Sequence, residues 1–198
     1  FEMARSVMNV FLLTFILIAV LVYIFALPIT ASFIVPGWGI GRQADQIQVA
    51  SLTRIILIGQ IILVVGTLFI GILQSFQRFI IPALASVFYN FGVILGIVFL
   101  SKPLGISSAA FGIIIGAMLH VIIQIPLVWS MGFKIKMPKR LLHNGLKEII
   151  KLMSVRTIGL AAEQINETVG MALASLVSIG AITYLTFAQQ LQVVPIGL

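Results

Sequence analysis

Apolar residues run through this chain in six long blocks, each the length of a membrane crossing. About 20 mostly apolar residues cover roughly 30 Å of hydrocarbon at 1.5 Å per residue. The first block runs from Met8 to Val35, with Pro28 placed to kink it. The next three are Ile55–Gln74, Phe79–Leu100 and Ile106–Trp129. The last two are Lys151–Ala174 and Val177–Leu198. The pattern predicts an all-α polytopic membrane protein with six transmembrane helices.

The fifth block differs from the rest. It carries Arg156, Glu163, Gln164, Asn166 and Glu167 inside an otherwise apolar stretch. A charge at bilayer depth costs roughly 2.5–3.5 kcal/mol on insertion scales, so it normally faces a bundle interior or a water-filled cavity. Arg156, Glu163 and Glu167 fall at i, i+7 and i+11 and share one helix face, which Asn166 and Gly170 adjoin. If Lys151 marks the interface, Glu163 lies about 18 Å deeper, near the midplane. Two readings follow: an ion pair with a neighbouring helix, or one wall of a cavity for an ionic or strongly polar cargo. Thr183, Thr186 and Gln190 form a similar face in the sixth block.

Composition agrees with lipid as the main solvent. The chain is 61% hydrophobic and 9% charged, with a mean hydropathy of +1.21. A soluble domain carries about 25% charged residues. The net charge of +7 would suit nucleic acid, but its placement follows the positive-inside rule, so no nucleic-acid partner is expected. Eight of the twelve cations (Arg5, Arg78, Lys134, Lys136, Lys139, Arg140, Lys147, Lys151) fall on one side and three (Arg42, Arg54, Lys102) on the other. Both ends of the segment are therefore expected on the cytoplasmic side. Opening at Phe1 without a cleavable leader pattern, the chain reads as an internal piece of a longer protein.

Two connections exceed a turn. Pro36–Thr53, on the outer side, begins Pro-Gly-Trp-Gly and becomes mildly amphipathic through Ile47, Val49 and Leu52. Gly132–Gly145, on the inner side, is the strongest basic cluster, with Lys134, Lys136, Lys139 and Arg140 placed to anchor on anionic lipid headgroups. Its tail, with Leu141, Leu142, Leu146, Ile149 and Ile150, predicts a helix lying in the headgroup layer. Such a segment either simply joins two bundles or acts as a hinge between moving lobes.

Other polar positions within the blocks are sparser. Gln60, Thr67 and Gln74 share a face, and Asn90 follows Tyr89 in the third block. Gln60, Gln74 and Asn90 suit interhelical hydrogen bonds or a cavity lining equally well. Gly92 with Gly96, and Gly112 with Gly116, are GxxxG pairs that predict close helix packing. His120 reads as a hydrogen-bonded packing residue, with a proton relay as the alternative. No cysteine is present, and no Walker loop, HExxH or paired His/Asp cluster appears. Catalysis and metal binding are not expected, and no organic cofactor is.

Specific runs resemble the lipid II flippase (MurJ/MviN) family. They are Ile72-Leu73-Gln74-Ser75-Phe76-Gln77-Arg78-Phe79-Ile80-Ile81-Pro82-Ala83-Leu84 followed by Asn90, then Val35-Pro36-Gly37, Leu52-Thr53-Arg54-Ile55 and Gln124-Ile125-Pro126, and finally Tyr184 through Ala188 to Pro195 and Gly197. The resemblance implies a two-lobe exporter fold working by alternating access, of which this chain supplies the third to eighth helices. Residues 1–131 would be four helices of the N-terminal lobe, 132–146 a basic cytoplasmic linker, and 147–198 the first two helices of the C-terminal lobe.

The implied cargo is an undecaprenyl-pyrophosphate-linked peptidoglycan precursor, moved outward across a bacterial cytoplasmic membrane. Cell-wall synthesis machinery is an implied partner, and the coupling ion, H+ or Na+, is left open. One position departs from the family. Its usual cavity arginine, in an Ala-x-Arg pattern, is here Gln190 after Ala188 and Gln189. Glutamine can hydrogen-bond a phosphate but cannot neutralise it. A different polysaccharide-lipid cargo and a non-transporting scaffold remain as alternatives.

Overall fold

A computed structural model of the chain describes residues 2–38, 41–133, 144–178 and 180–196. Helices dominate, and no strand occurs among the described residues. Backbone N–H and C=O groups have no water to turn to in hydrocarbon, so each apolar block closes its hydrogen bonds within itself.

The first block is a 23-residue helix, α1 (Glu2–Ile24), that stops four residues before Pro28. Proline lacks the N–H that would reach the Ile24 carbonyl, and its ring crowds that carbonyl. The chain continues as a short helix, α2 (Ala26–Ile29), and a π-turn over Thr30–Ile34. Buried Thr30 donates its hydroxyl to the Ala26 carbonyl at 2.8 Å. The predicted kink is seen as a one-residue interruption at Phe25, with φ −92° and ψ 16°.

The second block is longer than its apolar core. Helix α3 (Gln43–Ser75) spans 33 residues and absorbs most of the connection predicted over Pro36–Thr53. Nothing between Gln43 and Ile58 interrupts a helix, since neither glycine nor proline occurs there. Its first turns bury Gln46 and Ala50, while Ile47 is exposed, so the apolar face read from Ile47, Val49 and Leu52 is not the buried one.

Helices α4 (Ile80–Leu104) and α5 (Ser107–Ile122) form a tight pair joined at Gly105, whose φ of 54° turns the chain. A Cβ added to Gly96 would collide with the Cα of Gly112, and one on Gly92 would lie 2.5 Å from the Cα of Gly116. The two GxxxG pairs are therefore packed on each other, as predicted. The fourth block breaks at Gln124 into α5 and a short α6 (Ile125–Ser130), because Pro126 cannot donate to the Ile122 carbonyl.

The last elements are α7 (Asn144–Val177) and α8 (Ala181–Ile196). Residues Asn144–Ile150, expected in a separate interfacial helix, are continuous with α7. Among the described residues, four helical stretches are long and apolar enough to cross a membrane: Arg5–Ile24, Gln43–Ser75, Ile80–Leu104 and Ser107–Ser130. The charges of α7 set it apart from them.

The chain divides into two compact units. The first comprises Phe1–Tyr23 and Leu52–Ile150, the second Ile24–Ser51 and Lys151–Leu198. The core of the first unit gathers Met8, Phe69, Ile72, Leu73, Val128 and Phe133. Phe69 meets Phe133 edge-on at 6.3 Å between ring centres, and the Arg5 guanidinium stands 5.9 Å from the Phe133 ring. Many large apolar residues on α1 and α4, such as Leu17, Val98 and Phe99, are exposed. On a water-soluble monomer so large an apolar surface would be anomalous, but in lipid it costs nothing.

Candidate functional site

Helix α7 presents two opposite faces, and both are exposed. Arg156, Glu163 and Glu167 lie along one stripe, with Asn166 and Gly170 at its edge. Ile158, Ile165, Val169 and Leu176 lie along the other, about 200° round the helix from Glu163. Among the described residues neither Arg156 nor Glu163 nor Glu167 forms an ion pair. Gln164 donates to the Glu167 carboxylate at 3.1 Å, one turn along the same helix. Thr157 and Thr168 spend their hydroxyls on carbonyls four residues back, as helix hydroxyls commonly do in apolar surroundings. Charged groups are thus left exposed, unsealed by any helix among the described residues.

On α8, Gln190 is exposed and Gln189 half-buried. Thr186 donates to the Ile182 carbonyl at 2.8 Å. On α3, Gln60 is half-buried and Gln74 exposed, while Thr67 donates to the Leu63 carbonyl at 3.0 Å. Asn90 on α4 is exposed and donates to the Ser86 carbonyl at 2.9 Å, within its own helix. None of Gln60, Gln74 and Asn90 hydrogen-bonds another helix among the described residues. Interhelical glue is not what they provide here. Lys134, Lys136, Lys139 and Arg140 lie outside the described residues.

His120 behaves as a packing residue. Its ring is 6% exposed, edge-on to Tyr89 at 6.4 Å, and seated on Gly66, where a Cβ would stand 2.9 Å from Nε2. Gln124, fully buried, donates to the His120 carbonyl at 2.8 Å. The expected hydrogen bond of the His120 ring is missing, since neither ring nitrogen has a partner among the described residues. No group of three or more His, Cys, Asp or Glu that could hold a metal occurs among the described residues.

One close contact went unread in the sequence. The turn after the π-segment brings Gly37 onto the end of α7, where its N–H donates to Ser175 Oγ at 3.0 Å. That hydroxyl donates in turn to the Ala172 carbonyl at 2.6 Å. A Cβ on Gly37 would overlap the Ser175 carbonyl and stand 2.7 Å from the Leu176 nitrogen. The small residues Ala172, Ala174 and Ser175 were the available signal. Nearby, Arg42 pairs with Asp45 at 2.8 Å and stacks on Trp38 at 4.1 Å. Arg54 donates to the Tyr23 carbonyl at 3.1 Å, in the last turn of α1, where a cation is favoured.

Comparison with known proteins points one way. The family model for lipid II flippase MurJ matches residues 2–198. A probable lipid II flippase MurJ of Treponema pallidum is 28% identical over 161 residues, covering 79% of this chain and 31% of that protein. One from Buchnera aphidicola subsp. Schizaphis graminum is 31% identical, covering 81% of this chain and 32% of that protein. A solved structure of lipid II flippase MurJ in an inward closed conformation superposes with a TM-score of 0.77 at 25% identity. It covers 98% of this chain and 40% of its own. The chain thus spans about a third of the length of the curated relatives it matches.

Proposed function

The chain belongs to the lipid II flippase MurJ family, and we propose that it is part of a carrier for an undecaprenyl-pyrophosphate-linked peptidoglycan precursor. The carrier moves this cargo from the inner to the outer leaflet by alternating access. Family membership over residues 2–198 carries the reading.

The polar stripe of α7 supports it physically. A pyrophosphate and its sugars need a hydrated path, and Arg156, Glu163 and Glu167 are exposed side chains with no ion-pair partner among the described residues. Gln190 lies on the neighbouring helix as a neutral hydrogen-bonding group for the cargo. The opposite stripe of α7 faces acyl chains. Both ends of the segment are cytoplasmic in this reading, and residues 132–146 join an N-terminal lobe (1–131) to a C-terminal one (147–198). The carrier uses no organic cofactor in this reading, and its drive is the membrane potential, protons or sodium.

Gly37 and Ser175 fall within one compact unit and lie at the outer side in this reading.

The test is rescue of bacteria depleted of their own precursor flippase by the full-length gene. Rescue is expected from the wild type and from Gln190→Arg, which restores a cation beside the cargo. Loss of rescue by Glu163→Gln and Arg156→Gln at normal abundance supports transport. Full rescue by both variants, or none by a well-expressed wild type, overturns the reading.

A further inference from the structure

The turn between α3 and α4 holds an unusual pair of residues above an apolar cleft. The end of α3 closes as a Schellman motif: Arg78 N–H donates to the Leu73 carbonyl and Gln77 N–H to the Gln74 carbonyl, each at 2.9 Å. The left-handed position of such a motif usually holds glycine, and the next residue usually folds an apolar side chain back onto the helix. Here Gln77 takes the left-handed position with φ 60°, and the next residue is a cation, Arg78. Arg78 suits the helix dipole, but Gln77 in the left-handed region and the missing apolar fold-back do not serve the helix end. A departure of this kind is a reason to look for a ligand.

A cleft of about 420 Å³ opens at this turn, lined by Gln77, Arg78, Phe79, Ile80, Ile81 and Leu127. Its floor and walls are apolar, and Ile80 is 76% exposed. Arg78 forms no ion pair among the described residues. Phe79 gives the start of α4 no side-chain cap, so the Ile80 and Ile81 N–H groups meet no capping acceptor there. Exposed Trp129, two residues beyond Leu127, sets the depth, because indole rings favour the headgroup level. The positive-inside count puts this end in the inner leaflet.

We propose that this cleft is a seat for one anionic phospholipid of the inner leaflet. The Arg78 guanidinium and the Gln77 amide take the phosphodiester, and Phe79, Ile80, Ile81 and Leu127 take the start of an acyl chain. A guanidinium fork suits a phosphate, and an added negative headgroup favours anionic over zwitterionic lipid. The seat rests on membrane embedding and on the cytoplasmic orientation proposed above, and is independent of which cargo the carrier moves.

Native mass spectrometry of the full-length protein with added phosphatidylglycerol or phosphatidylcholine tests it. The wild type should hold one phosphatidylglycerol about tenfold more tightly than Arg78→Gln, the loss expected from one charge-assisted bond. Ile80→Asp, a change at an exposed site that need not disturb folding, should weaken the same lipid by repelling its phosphate. Phosphatidylcholine should respond little to either change. Wild-type affinity in both variants overturns the proposal, as does equal loss for the two lipids. Displacement of the bound lipid by undecaprenyl pyrophosphate would assign the seat to cargo instead and also overturn it. Rescue of depleted cells reads the transport function separately, so the two can fail independently.

Discussion

Gly37 and Ser175, 138 positions apart, meet so closely that only glycine fits the first of them. The Ser175 hydroxyl accepts from one backbone and donates to another, so the contact is both tight and fully hydrogen-bonded. Ser175→Ala should cost about 1 kcal/mol, by leaving the Gly37 N–H without its acceptor. Gly37→Val should prevent the approach altogether. With no native cysteine in this segment, Ser175→Cys can be probed with an impermeant maleimide from outside. Labelling should be slow in the otherwise wild-type protein and at least severalfold faster with Gly37→Val, and equal rates would contradict the close Gly37–Ser175 packing.

The α4–α5 crossing should be intolerant of any side chain. Gly96→Val drives its side chain into the backbone of Gly112, where nothing flexible can move aside. Overpacking of this sort costs about 1–3 kcal/mol. Thermal unfolding in detergent should show a lowered midpoint for Gly96→Val but little change for Gly71→Ala, a site with open space around it.

His120 is expected to be dispensable for transport. Its two ring nitrogens have no partners among the described residues, so His120→Phe keeps the ring and removes two unsatisfied polar atoms. Stability should stay within about 1 kcal/mol or rise, since replacing unpaired buried groups by apolar ones is often neutral. Unimpaired rescue is the expected result. Loss of rescue at normal abundance would make His120 a proton carrier.

Much of this fold could be read from elementary rules. Pro28 and Pro126 announce their breaks through the missing N–H, and the glycine pairs announce the α4–α5 crossing through their spacing. The extension of α3 back to Gln43 was harder, because a polar, weakly amphipathic stretch looks like a loop until the absence of breakers is weighed. Ile47 is another case that spacing alone could not settle: it is exposed while Gln46 and Ala50 pack inward. The charged stripe of α7 was plain in the spacing of Arg156, Glu163 and Glu167. Its exposed apolar counterpart, from Ile158 to Leu176, needed the structure, since spacing alone says nothing of what covers a face. The Gly37–Ser175 contact was hidden because no local pattern links positions so far apart.

The two faces of α7 give the account its most direct test. Single cysteines at Arg156, Glu163, Glu167, Ile158, Ile165 and Val169 in the full-length protein, in an otherwise cysteine-free background, are labelled in intact cells with a small charged thiosulfonate reagent. Thiolate chemistry needs water, so reactivity reports wetness at each position. Ready labelling of Arg156→Cys, Glu163→Cys and Glu167→Cys, slowed by a cavity-filling cargo analogue, with the three apolar-stripe positions unreactive, is the predicted result. Uniform silence along both stripes would contradict the hydrated cavity proposed for α7.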